Sequence, residues 1–133
     1  MVRFEISYEG DLHCSLTHGP SGSVISTDAP VDNHGRGATF SPTDLCAASL
    51  GACMATVMGI EAQKRNLDLT GLQVSVEKIM TNVPVRKIRK LIVELTMPRT
   101  YSDEDYAELQ HIAHTCPVKE SLNPDIDIEI IWK

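Results

Sequence analysis

The stretch that decides the fold is Ser41-Pro42-Thr43-Asp44-Leu45-Cys46-Ala47-Ala48-Ser49-Leu50-Gly51-Ala52-Cys53-Met54, running on through Ala55-Thr56-Val57-Met58-Gly59-Ile60. Ser41 is a preferred N-cap type, and Pro42 carries the fixed φ that suits the first helical position. Asp44 completes a Ser-x-x-Asp capping box and sets its negative charge against the positive end of the helix dipole. The helix that follows is apolar on nearly every side, through Leu45, Ala47, Ala48, Leu50, Ala52, Ala55, Val57 and Met58. A helix with no polar face is expected to be central and covered all round. Glu61, Gln63, Lys64 and Arg65 return it to water, and it is expected to run to about Asn66. Its charge-free part, Leu45 to Ile60, falls short of the ~20 residues a membrane span needs and contains Ser49, Gly51, Thr56 and Gly59. The expectation is a buried helix of a soluble protein, with no membrane partner.

Outward on the N-terminal side, residues 2–8 alternate Val2, Phe4, Ile6 and Tyr8 with Arg3, Glu5 and Ser7, the pattern of a strand with one buried face. Glu9-Gly10-Asp11 is a turn signal, and residues 12–18 and 22–27 read as two more strands separated by Gly19-Pro20-Ser21-Gly22. Residues 28–40, rich in Asp, Asn, Gly and Pro, form a loop. On the C-terminal side, Leu72, Val74 and Val76 alternate with polar residues, as do Leu91, Val93, Leu95 and Met97, with Pro84 in the connection. Ser102-Asp103-Glu104-Asp105 opens a second helix with another capping box, and Tyr106, Leu109, Ile112, Ala113 and Cys116 form its buried stripe. Pro117 disfavours helical geometry at Cys116, so a break and a short new helix from Pro117 to Leu122 are expected. Ile126, Ile128, Ile130 and Trp132 mark a closing strand. Strands grouped between helices give an α+β class.

The 133 residues fit one domain spanning 1–133, with no repeat, low-complexity tract or dividing linker. The net charge of −6 argues against nucleic acid and anionic membrane as partners, and no run of like charges stands out. The opening Met1-Val2-Arg3-Phe4-Glu5 has no apolar core and does not read as a signal peptide. With a cytoplasmic location, the four cysteines Cys14, Cys46, Cys53 and Cys116 are expected to be mostly reduced. No Cys-x-x-Cys pair exists, which removes the thioredoxin motif and the usual zinc knuckles.

Two cysteines carry candidate chemistry. Cys53 reads either as a small core residue or as a nucleophile. Cys116 would sit at the N-cap of the helix opened by Pro117, where unpaired N–H groups and the dipole favour a thiolate and lower its pKa; it reads equally as a filler of a helix junction. Cys46 shares a helix face with Cys53 two turns away, too far for a disulfide, and Cys14 has no assigned role. His111, His114, Cys116 and Cys53 are metal-ligand types, but their spacing matches no zinc pattern, so neither metal nor cofactor is expected.

Thr27-Asp28-Ala29-Pro30, then Phe40-Ser41-Pro42-Thr43-Asp44-Leu45, then Ala48-Ser49-Leu50-Gly51-Ala52-Cys53, and finally Cys116-Pro117-Val118 resemble the OsmC/Ohr family. The order of elements matches as well, over nearly the whole chain. The resemblance implies an OsmC-like fold, an antiparallel sheet packed on a long central helix, in an intertwined homodimer with active sites at the subunit interface. It implies a cysteine peroxidase of the oxidative stress response that reduces organic hydroperoxides. The cysteine matching Cys53 attacks the peroxide and becomes a sulfenic acid, the one matching Cys116 condenses with it, and a dithiol such as a dihydrolipoyl group restores the pair. Peroxidase members place a Glu at the position of Thr43, beside a catalytic Arg from an earlier loop. Here the carboxylate is one residue later, at Asp44, and Gly19-Pro20-Ser21-Gly22 contains no Arg; Arg36 is the nearest candidate in sequence. Asp44 reads also as a helix cap, and Arg36 as a solvated loop charge. The departures resemble a less characterised OsmC-like branch, which gives the alternative of a redox-sensing or binding protein with little peroxidase turnover.

Overall fold

The computed structural model describes residues 1–133, which form two compact units, Met1–Cys46 and Ala47–Lys133. The class is α+β, as the alternation of patterns predicts. In the first unit β1 (Phe4–Tyr8), β2 (His13–His18) and β3 (Val24–Asp28) form an antiparallel meander. Gly10, Asp11 and Leu12 all take positive φ in the tight turn between β1 and β2, closed by the Glu9 N–H donating to the His13 carbonyl at 2.8 Å. The expected buried face of β1 is not found: Phe4, Ile6 and Tyr8 are 54%, 59% and 66% exposed. As an edge strand, β1 has only β2 beside it, and alternation alone does not say what covers the apolar side.

The loop after β3 is pinned by its own backbone. The Asp28 N–H donates to the Phe40 carbonyl, Gly37 N–H to Ala29, and Gly35 N–H to Pro30, around one 3-10 turn at Val31–Asn33. A Cβ on Gly35 would fall 1.7 Å from the Ala29 carbonyl oxygen, so only glycine fits there. The loop ends in the expected capping box. The Ser41 N–H donates to Asp44 Oδ2 at 2.9 Å, and the Asp44 N–H donates to Ser41 Oγ at 3.1 Å.

α1 (Pro42–Lys64) crosses from the first unit into the second. It ends where Asn66 takes a left-handed φ of 56°, letting the Leu67 N–H reach the Ala62 carbonyl at 2.8 Å, close to the expected end. By length and composition alone α1 could cross a membrane, more than its charge-free part implied. In the second unit its stripe of Ala47, Leu50, Met54, Met58 and Ala62 is buried. A Cβ on Gly51 would lie 2.8 Å from Val76 Cγ2 and 3.2 Å from Val74 Cγ1, so the absence of a side chain lets helix and strand approach. The helix is not covered all round: Ser49, Ala52, Thr56 and Ile60 form an exposed stripe, with Ile60 at 50%.

β4 (Gln73–Thr81), β5 (Lys87–Thr96) and β6 (Asp127–Trp132) form the second sheet, with β5 in the middle and Leu91, Val93 and Leu95 fully buried on one face. β4 is antiparallel to β5, but β6 runs parallel to it, so this sheet is mixed rather than antiparallel. The cause lies in the connection: α2 (Asp103–Ala113) and α3 (Pro117–Ser121) separate the strands, and a helical crossover returns the chain in the same direction. α2 opens with the expected cap, the Asp105 N–H donating to Ser102 Oγ. Arg65 ties the end of α1 to its start by reaching Glu61 at 3.0 Å and Asp105 at 3.1 Å.

Candidate active site

α1 carries Cys53 beside the buried Met54, and Cys53 itself is half-buried. Leu109 and Ala113 are buried along α2, whose helical geometry stops before Cys116. Cys116 has an extended backbone (φ −63°, ψ 139°), is the N-cap of α3 with Pro117 directly after it, and is fully buried. The break required by Pro117 is therefore the device that presents this sulfur. The Lys119 N–H donates to Cys116 Sγ at 3.3 Å.

The two side chains, 63 positions apart in sequence, lie close enough for Cys53 to act on the Cys116 thiol. Burial pushes the Cys116 thiol up, the Lys119 N–H pulls the other way, and Cys53 adds to the rise through the hydrogen bond and charge repulsion. This corrects the expectation that the α3 N-terminus lowers the Cys116 pKa. Pro117 contributes no N–H, α3 is five residues long, and complete desolvation outweighs the donors that remain. The protonated form of Cys116 is thus favoured.

Asp44 occupies the capping box, where its Oδ2 accepts from the Ser41 N–H. Arg36 is exposed on the loop between the 3-10 turn and α1, near enough to Asp28 to help hold that carboxyl down. His111 and His114 are exposed, and no group of three or more His, Cys, Asp or Glu side chains converges as a metal site.

Sequence reasoning assigned no role to Asp28, although Thr27-Asp28-Ala29-Pro30 carried part of the resemblance. Asp28 is 2% exposed; its Oδ1 lies 2.6 Å from His13 Nδ1, and its Oδ2 accepts from the Ala38 N–H at 3.0 Å. The His13 hydrogen bond holds the Asp28 carboxyl below the usual carboxylate range, against burial, with the Ala38 N–H and the His13 and Arg36 charges assisting. One buried carboxylate therefore ties β2 to the loop that carries Arg36. The signal available was an Asp inside an otherwise turn-like Asp-Ala-Pro, with no way to see His13 across the strand pair.

A family model described as OsmC-like protein matches residues 35–131. A candidate osmotic stress induced and detoxification response protein from Psychrobacter arcticus 273-4 is 39% identical with a TM-score of 0.94, over 100% of this chain and 96% of its own. The organic hydroperoxide resistance protein OsmC of Legionella pneumophila shares the fold at 16% identity and a TM-score of 0.79, over 100% of this chain and 96% of its own. The organic hydroperoxide resistance protein OhrB of Bacillus subtilis does so at 18% identity and a TM-score of 0.71, over 100% and 98%. No curated protein matches the chain. With most of its length covered by the family model and the pair of thiols built on the elements the resemblance pointed to, this chain belongs to the OsmC family.

Proposed function

We infer that this chain is a single OsmC-like domain that reduces organic hydroperoxides, with Cys53 as the attacking thiol and Cys116 as the resolving one. The observation that carries the reading is the proximity of the half-buried Cys53 thiol to the fully buried Cys116, whose protonated form burial favours. The Cys53 thiolate attacks the outer peroxide oxygen; the O–O bond breaks, an alcohol leaves with a proton, and Cys53 becomes a sulfenic acid. Cys116 then forms the S–S bond and water departs. A dithiol of the dihydrolipoyl kind reduces the disulfide and is itself oxidised. Burying the resolver next to the attacker keeps the sulfenic acid from meeting more peroxide before it is trapped. The two organic hydroperoxide resistance proteins that share the fold support this substrate class.

The exposed apolar side chains of Phe4, Ile6 and Tyr8, and the exposed stripe of α1 through Ile60, support a homodimer that covers them. Four free cysteines accord with a cytoplasmic location. A second reading, redox sensing with slow turnover, is favoured by Asp44 serving the helix cap and by the Arg36 charge acting on Asp28.

The test uses cumene or tert-butyl hydroperoxide with dihydrolipoamide. The wild type consumes peroxide continuously and, after one equivalent without reductant, loses two hydrogens in mass. Cys53→Ser abolishes both, while Cys116→Ser gives a single turnover and a sulfenic acid that dimedone captures. A Cys53→Ser protein as active as wild type refutes the assignment. Disulfide formation with little sustained consumption selects the sensing reading.

A further inference from the structure

The chain's charge is segregated in a way that its net value hides. Between Lys78 and Lys90 lie five cations, Lys78, Arg86, Lys87, Arg89 and Lys90, and no carboxylate, so the segment carries +5 and the remaining residues −11 within a net −6. Four of the five stand in one short basic run, Arg86-Lys87-Ile88-Arg89-Lys90, broken only by Ile88, against the expectation that no run of like charges stands out. The fold gathers them onto one hairpin, the paired ends of β4 and β5, with Thr81 opposite Lys87 and Ile79 opposite Lys90. At its tip Val83 and Val85 are 79% and 61% exposed, flanking an exposed Pro84. Arg86 and Arg89 are exposed as well. Lys90 is drawn back by Glu129 at 2.8 Å and Asp127 at 3.5 Å, and Lys78 and Arg86 have interactions of their own, so Arg89 and Lys87, which make no ion pair, are the cations the proposal rests on.

We propose that the β4–β5 hairpin is a docking surface for an acidic protein partner, whose carboxylates frame a small apolar patch that receives Val83, Pro84 and Val85. An apolar centre with an arginine-rich surround is the make-up of a protein interface. A phosphate backbone needs cations and gains nothing from two exposed valines. The −11 on the rest of the chain also repels an extended polyanion, while a compact acidic surface meets the hairpin alone, because charges beyond about 10 Å are screened at ordinary salt. The proposal is independent of the redox chemistry of Cys53.

The test measures anisotropy of a fluorescein-labelled peptide rich in Asp and Glu around a central Leu-Val, against the full chain. Binding is expected, weakening about tenfold or more as salt rises from about 50 to about 200 mM. Arg89→Glu with Lys87→Glu should weaken it at least tenfold, while Lys64→Glu, an exposed cation at the end of α1, changes it less than twofold. Val83→Ser with Val85→Ser, which alters no charge, should lower affinity and leave the salt dependence as it was, and it stands in if the charge reversal does not fold. Absence of peptide binding, an equal loss in Lys64→Glu, or tighter binding to duplex DNA or phosphatidylserine vesicles than to the peptide overturns the proposal.

Discussion

Gly51 and Gly59 lie in the same helix and offer a comparison that isolates one contact. Replacing either by Ala removes the same backbone entropy from the unfolded chain and gains the same helix propensity, about 1 kcal/mol. At Gly59 a Cβ would meet nothing within 4 Å, so that gain should appear in full. At Gly51 it would lie 2.8 Å from Val76 Cγ2 and 3.2 Å from Val74 Cγ1. Those methyls belong to short branched side chains on a paired strand, so the helix or the strand must shift, at an overpacking cost of about 1–3 kcal/mol. The propensity gains cancel between the variants, and the difference reads the clash alone. For a chain of this size, unfolding entropy near 2.1 cal/mol/K per residue converts 1 kcal/mol into about 4 °C of Tm. Gly59→Ala should therefore melt about 4 °C above wild type, and Gly51→Ala about 4–11 °C below Gly59→Ala. Calorimetry at matched protein concentration measures both. Because Gly51 is two residues from Cys53, the shift should also slow formation of the Cys53–Cys116 disulfide in Gly51→Ala. Equal melting temperatures, or Gly59→Ala below Gly51→Ala, would refute the close approach of α1 to β4.

Two further outcomes follow from the first unit. The Asp28 carboxyl is held down by His13, so its contribution to stability is present above the ordinary carboxylate pKa, near 4, and is lost as pH falls through the depressed folded value. Thermal melts of wild type and Asp28→Asn should differ at pH 7 and converge in acid; a gap that is constant down to pH 2 would contradict this. Ser41→Ala removes the Oγ that accepts from the Asp44 N–H and should cost about 1 kcal/mol in urea unfolding, with Ser41→Asp restoring most of it.

Much of this molecule is local and was legible as such. The capping boxes at Ser41 and Ser102, the α1 end near Asn66, the break at Pro117 and the six strands all follow from rules that act over a few residues. The parallel β6 was not legible, because a strand's alternation is the same in either direction and only its neighbour's course decides. The His13–Asp28 pair joins positions whose strand pairing must form before the two side chains can meet. The Cys116 pKa went the other way from the helix-end argument, since burial is a property of everything packed around the sulfur and outweighs the N–H groups beside it.

The sequence by itself determined the class, the elements, the family likeness and which two cysteines to watch, because propensity, capping and periodicity are written in neighbouring residues. Tertiary structure alone decided that Cys53 and Cys116 come close together, that Cys116 is fully buried, and that Lys78 joins the basic run of β5 on one hairpin. Contact and desolvation depend on distances between remote parts of the chain, and those exist only once the chain has folded.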